Sequence, residues 1–371
     1  MTGSPRDWLV LREGRQPRWG GEIRRHHIFK RLAERTNAAI LEDGWSDAGI
    51  RGAALGPLAS RLPAPLGRHL GRGPRPLFAS SEKLRPRVLD TAVALTDPAA
   101  VAIYDDPVAQ SHSLGVPVDP AWIAALADRQ RRNQAAFRWH VVPTASFAEL
   151  AGLDSDRVIV GGNGTDCAAV RVGPWPARPT IGLVSAAAPG RGIELLIDAA
   201  RLARQALPEL ELRLWLVATN AETEAYLDAL RAAIAADPWA RIATAPYESL
   251  GETLAEASAL AIAHPPGAYM DVALPVKLFD SLAAGRPLIV TPRRETALVV
   301  ERFEVGLVAS GDAAEDLARS IVELLGDRPR TIELGQRARD VAEANFDWRV
   351  VGDRIADEVL RREAWPGAPT S

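Results

Sequence analysis

At 371 residues the chain is longer than one hydrophobic core usually supports, and two domains are expected. A formal net charge of −3 gives no overall attraction to nucleic acid, and the single cysteine, Cys167, excludes an intrachain disulfide and argues against a thiolate-rich metal site. No run reaches the roughly 18 uncharged apolar residues of a membrane span, and Arg6 and Asp7 ahead of a short apolar run at residues 8–11 do not make a signal peptide, so a cytoplasmic protein is expected.

In chain order, residues 8–12 are predicted as a strand, 23–35 as a helix and 38–42 as a strand. Residues 51–90 then break the pattern. Eight basic residues (Arg51, Arg61, Arg68, Arg72, Arg75, Lys83, Arg85, Arg87) stand there against Glu82 and Asp90, interleaved with six prolines. That composition predicts an arginine-studded loop or excursion. It reads either as a solvated loop or as a contact to anionic lipid headgroups or a phosphorylated acceptor, which would place the protein peripherally on a membrane. Residues 91–96 and 101–105 are strand candidates, 120–134 a helix opening at proline, and 139–142 and 158–160 further strands.

The second half alternates more regularly. Strands are expected at 180–185, 210–218, 242–245, 259–264 and 287–291, separated by helical periodicity at 193–207, 222–236, 250–257 and 274–284. This is the pattern of a doubly wound α/β sheet. Gly173 to Pro179, with three prolines in seven residues, reads as the linker between an N-terminal domain (1–172) and a second domain (180–346).

Two segments carry chemistry. Residues 186–192 follow a predicted strand with small residues, then Arg191 and Gly192, at a helix start, where free N–H groups, the helix dipole and a guanidinium converge on an anion. A pyrophosphate suits that turn. In residues 274–287, Lys277 and Asp280 share one helical face, and Lys277 is one of only three lysines. An ammonium suits a phosphate oxygen and a carboxylate accepts from ribose hydroxyls; the alternative is an i,i+3 ion pair on an exposed helix.

With those residues in view, the sequence resembles the retaining GT-B glycosyltransferases often called family 4, over nearly its whole length. Residues 19–24, with Gly20 and Gly21, resemble the N-terminal glycine loop between donor phosphates and acceptor. Residues 158–166 resemble the strand ending in Asn-Gly-Val-Asp, 185–192 the donor phosphate loop, and 275–287 the acidic helix followed by Ala-x-Gly-x-Pro. Phe346-Asp347-Trp348 resembles the turn into a closing helix that crosses back to the first domain (347–371). The resemblance implies two Rossmann-like doubly wound α/β domains facing a central cleft, a nucleotide diphosphate sugar donor on the second domain, and retention of stereochemistry.

The chain departs from that pattern at several positions. Ala186 stands where the family loop has arginine and Arg191 where it has lysine; Asp280 stands for the second of two glutamates, and Val272 for the first, with Asp271 the nearest carboxylate. Many relatives carry a histidine after the strand matching 101–103, whereas this chain reads Tyr104-Asp105-Asp106-Pro107. Asp105 or Asp106 is a candidate to orient a hydroxyl or act as general base, and equally an ordinary turn. His264, at a strand end, is a candidate to line the donor cleft. The expected protein is a glycosyltransferase needing no metal and no cofactor besides its sugar-nucleotide donor, with an unidentified acceptor and no nucleic-acid partner. A sugar-nucleotide-binding pseudoenzyme, an epimerase of similar fold and, lowest, a dinucleotide-dependent oxidoreductase are the alternatives.

Overall fold

The computed structural model describes residues 9–13, 20–36, 39–44, 49–51, 77–80, 101–103, 119–244 and 249–363. They fall into two compact units. The first holds the described residues up to Gly162 together with the chain from Trp348 onward; the second runs from Asn163 to Asp347.

The first unit is a seven-stranded sheet. Its strands are β1 (Leu9–Glu13), β2 (Ala39–Gly44), β3 (Gly49–Arg51), β4 (Leu77–Ser80), β5 (Val101–Ile103), β6 (Trp139–Val142) and β7 (Val158–Val160), in the order β3-β2-β1-β4-β5-β6-β7. All neighbours are parallel except β2 and β3. Helices α1 (Gly20–Thr36), α2 (Pro120–Ala136) and α3 (Ala145–Leu150) belong to it. Helix α1 buries Ile23, Ile28, Phe29 and Leu32, and β6 is buried at all four positions, as a strand covered on both faces must be. Thr144 caps α3, its Oγ1 accepting from the Phe147 N–H at 3.1 Å.

Within 51–90 the expected loop needs correction at two places: Arg51 closes β3, and Leu77–Ser80 is β4, paired between β1 and β5. Four residues flanked by prolines are too short to show alternation. The other residues of that stretch, and the candidate strand at 91–96, lie outside the described residues.

The second unit is a six-stranded parallel sheet of β8 (Thr180–Ala186), β9 (Glu211–Val217), β10 (Ala240–Ala243), β11 (Ala259–Ile262), β12 (Leu288–Val290) and β13 (Gly306–Val308). Their order is β10-β9-β8-β11-β12-β13, a doubly wound sheet that switches direction between β8 and β11. Helices α4 (Ile193–Ala203), α5 (Ala221–Ala233), α6 (Leu250–Ala255), α7 (Ala268–Val272), α8 (Val276–Ala283), α9 (Arg294–Phe303), α10 (Ala314–Leu325) and α11 (Arg328–Val341) cover it, and a π turn at Ala342–Phe346 leads into α12 (Trp348–Glu363).

Strand alternation divides the core between the sheet faces. Leu212, Leu214 and Leu216 of β9 join Ile181 and Leu183 with α4, α5 and α10 on one side. Trp215 joins Leu260, Ile262, Leu288 and Val290 with α6 and α8 on the other. Truncating one of these leucines to alanine costs about 2–5 kcal/mol.

The expected linker lies inside the second unit. Arg286, fully buried, donates to the carbonyls of Gly173 at 3.1 Å, Pro174 at 2.8 Å, Ala255 at 3.1 Å and Ala257 at 2.7 Å, with longer contacts to Ala284 and Gly285. Its guanidinium also lies 4.3 Å over the Trp175 ring. The chain leaves the unit at Asp347, and α12 packs on α1, with Val351, Ile355 and Val359 buried and Arg31 and Arg35 bonded to Asp353. His27 stacks on Trp348 with ring centroids 5.3 Å apart.

Candidate functional site

Ligands of doubly wound sheets bind outside the strand carboxyl ends, at the switch point. Here that point lies between β8 and β11. Out of β8 the chain turns through Gly190 and Gly192, both at φ +73°, into the N-terminus of α4. A Cβ on Gly192 would lie 1.7 Å from the Ala263 carbonyl oxygen. Glycine therefore lets the helix start seat directly against the end of β11, and the first-turn N–H groups of α4 open beside it.

Three expected residues meet there. Arg191 is held below its usual pKa by burial, partly offset by Tyr269. Burial, and then the charge of Arg191, pushes Lys277 down to about 7. His264, 2% exposed, is held well below the usual histidine range by burial and then by Lys277, Arg191 and Arg293, so it is neutral, and its Nδ1 has no hydrogen-bond partner among the described residues. Neither the Arg191 nor the Lys277 side chain has a hydrogen bond or a carboxylate partner among the described residues. Two cations are thus pressed together in a partly buried place with nothing negative between them, an arrangement that a bound anion relieves.

Lys277 and Asp280 do not pair with each other. Both line a small cavity walled by Val184, Leu250, Leu254 and Ser281, but Asp280, 5% exposed, accepts from Thr165 Oγ1 at 2.8 Å. Burial raises its pKa to about 7; the Thr165 bond pulls the other way and Asp166 adds to the rise. Two residues before Thr165, Asn163 Nδ2 donates to the Leu274 carbonyl, so segment 163–165 fixes the approach to α8 as well as its inner face.

Asp271 sits in a different arrangement. Its carboxylate receives Arg293 Nη1 at 3.0 Å, and Arg293 Nη2 is forked onto Asp312 at 2.6 and 2.7 Å. The three residues follow β11, β12 and β13, and together they brace the strand-end loops. Gly20 and Gly21 open α1 in the first unit, as helix rather than loop. Asp105 and Asp106 lie outside the described residues.

Sequence reasoning missed Thr165, Arg293 and Arg286. Arg286 stood inside the 274–287 segment, where its spacing marked only a turn. Arg293 and Arg294 follow a buried strand as an undistinguished pair, yet the first is 6% exposed and the second open to solvent. Among the described residues no cluster of three or more His, Cys, Asp or Glu could hold a metal ion.

Residues 178–327 match the family model described as glycosyl transferases group 1. The match covers less than half of the chain. It spans β8 to α10 and so includes Arg191, Lys277 and Asp280. Across 92 residues the chain is 32% identical to a GDP-mannose-dependent alpha-(1-6)-phosphatidylinositol monomannoside mannosyltransferase of Mycobacterium tuberculosis, covering 24% of each chain. It thus spans about a quarter of the length of the curated relatives it matches. Among solved structures, Anabaena Alr3699/HepE in complex with UDP and glucose superposes with a TM-score of 0.65 at 16% identity, covering 96% of this chain and 99% of that one. Sucrose-phosphate synthase from Thermosynechococcus elongatus gives 0.65 at 13% identity, covering 97% and 100%. The chain therefore has the GT-B fold of these structures.

Proposed function

We propose that the protein transfers a sugar from a nucleoside diphosphate sugar to an acceptor hydroxyl, with the diphosphate held by Arg191, Lys277 and the N–H groups opening α4. The observation that carries this reading is the pair of cations without a carboxylate partner, among the described residues, at the switch point of the second unit. Asp280 is the proposed ribose acceptor, and His264, held neutral by burial and by the charges of Lys277, Arg191 and Arg293, is proposed to line the donor cleft. As the bond from the sugar anomeric carbon to the diphosphate oxygen breaks, negative charge grows on the leaving phosphate. Cations already in position stabilise that charge without reorganising. The acceptor oxygen bonds to the anomeric carbon and its proton passes to the leaving diphosphate, with retention proposed from the resemblance.

With two fixed cations on the diphosphate, we read the reaction as needing neither metal nor cofactor. Gly20 and Gly21 are proposed to admit close backbone approach to the phosphates, and Asp105 or Asp106 to orient a hydroxyl. GDP-mannose in the curated relative's name and UDP in the Anabaena complex make guanosine and uridine the first bases to try. No helix among the described residues is long and apolar enough to cross a membrane. Cytoplasmic placement, with peripheral contact to anionic lipid through the arginine-rich stretch 51–90, is part of the proposal; failure to co-sediment with anionic vesicles at low salt removes that contact.

A thermal-shift panel of GDP, UDP and their sugar conjugates tests the reading. One base is expected to raise the unfolding temperature at about 1 mM, since a ligand at 100 times its Kd adds about 2.7 kcal/mol. Lys277→Ala is expected to abolish the shift. A wild type that responds to no nucleoside diphosphate overturns the assignment.

A further inference from the structure

Asp280 is engaged before any ligand arrives. Its Oδ1 accepts the Thr165 hydroxyl at 2.8 Å, with Thr165 fully buried and Asp280 nearly so. Thr165 is itself immobilised: its N–H donates to the Phe346 carbonyl at 2.9 Å, and it forms an isolated parallel bridge with Asp347. Asn163 ties the same segment to the Leu274 carbonyl just ahead of α8. A hydroxyl on so constrained a backbone holds one carboxylate oxygen in place, on a residue that lines the same cavity as Lys277.

We propose that Thr165 is a positioning residue, whose hydroxyl holds one oxygen of the Asp280 carboxylate so that the other is presented, ionised, to the ribose of a nucleoside diphosphate. This rests on the donor-site reading above.

The groups around Asp280 make that hydroxyl consequential. Asp166, next along the chain, disfavours the ionised carboxyl, as burial does. Lys277 lies one turn earlier on α8 with its own ionisation depressed. From α11, Arg339 packs against α8 but is committed to the carbonyls of Val170, Cys167 and Ala283 and to Glu343. The Thr165 bond is the interaction that favours the charged carboxylate against burial and Asp166.

The test uses the full chain as wild type, Thr165→Val, Thr165→Ser and Asp280→Asn. The Asp280 carboxyl is titrated directly by carbon NMR on aspartate-labelled protein, its signal assigned from Asp280→Asn, and GDP and UDP binding is followed by calorimetry from pH 6 to 9. In Thr165→Val the carboxyl midpoint is expected to rise by about one unit, and nucleotide binding to weaken about fivefold near pH 7 and recover by about pH 9. Thr165→Ser is expected to restore both. Thr165→Ala replaces the valine variant should that not fold.

An unmoved midpoint in the valine variant overturns the role of Thr165 while nucleotide binding by the wild type keeps the donor site. A midpoint that moves while the binding profile stays put overturns Asp280 as the ribose acceptor. A midpoint that moves in a protein binding neither nucleotide overturns the donor-site reading, and the role with it.

Discussion

Replacing Gly192 by alanine should separate backbone strain from collision in a single residue. Gly192 has φ +73°, where an L side chain costs about 1–2 kcal/mol. The added Cβ would also lie 1.7 Å from the Ala263 carbonyl oxygen and 2.5 Å from its carbon. Both are backbone atoms, so no rotamer change relieves the contact, and the loop must move by more than an ångström. Overpacking of that kind costs about 1–3 kcal/mol more. Gly152 supplies the control: its φ is +65° and a Cβ there would meet nothing within 4 Å, so Gly152→Ala carries strain alone. Calorimetric unfolding is expected to show Gly152→Ala lowered by roughly 2–6 °C and Gly192→Ala by roughly 5–15 °C. The displaced α4 start should also weaken nucleoside diphosphate binding at least tenfold in the second variant only, a loss of about 1.4 kcal/mol. Equal unfolding temperatures and equal nucleotide affinity in the two variants would refute the reasoning.

Lys277, depressed to about 7 in the empty site, should take up a proton when a diphosphate binds at pH 8, because the anion restores the charged form. The heat of binding should then depend on the ionisation enthalpy of the buffer, and affinity should fall as pH rises further; Lys277→Arg, charged throughout this range, should bind without the dependence. Arg286→Lys puts three donors where a planar fork serves six carbonyls, and a stability loss of about 2–4 kcal/mol in chemical denaturation is expected. Cys167, buried and with its thiol pushed up to about 12, should react with iodoacetamide at pH 8 only in denaturant; fast labelling of the folded protein would contradict its placement.

The second unit was legible because its strands are short apolar runs between amphipathic helices, a contrast that Leu288–Val290 and α8 carry without help from tertiary structure. Lys277 stood out because lysine is rare in this chain, and Arg191 because it follows a strand and a glycine. Their environment was not legible: that both lack a carboxylate partner among the described residues, and that Asp280 turns to Thr165 instead of Lys277, are facts about residues more than 100 positions apart in the latter case. Strand β4 was hidden by the prolines around it, which carry more local signal than four residues of strand. The buried state of Arg293 depends on Asp271 and Asp312 reaching it from neighbouring loops, and one sequence holds no trace of that.

The parallel bridge between Thr165 and Asp347 brings the entry and exit of the second unit side by side. A segment whose two ends already touch behaves as a cassette: it can be excised as residues 163–347, or its ends can be fused and new ones opened at the Asn220 turn, without stretching the backbone. The second unit is therefore a natural unit of exchange, able to be transplanted between chains where its two ends meet.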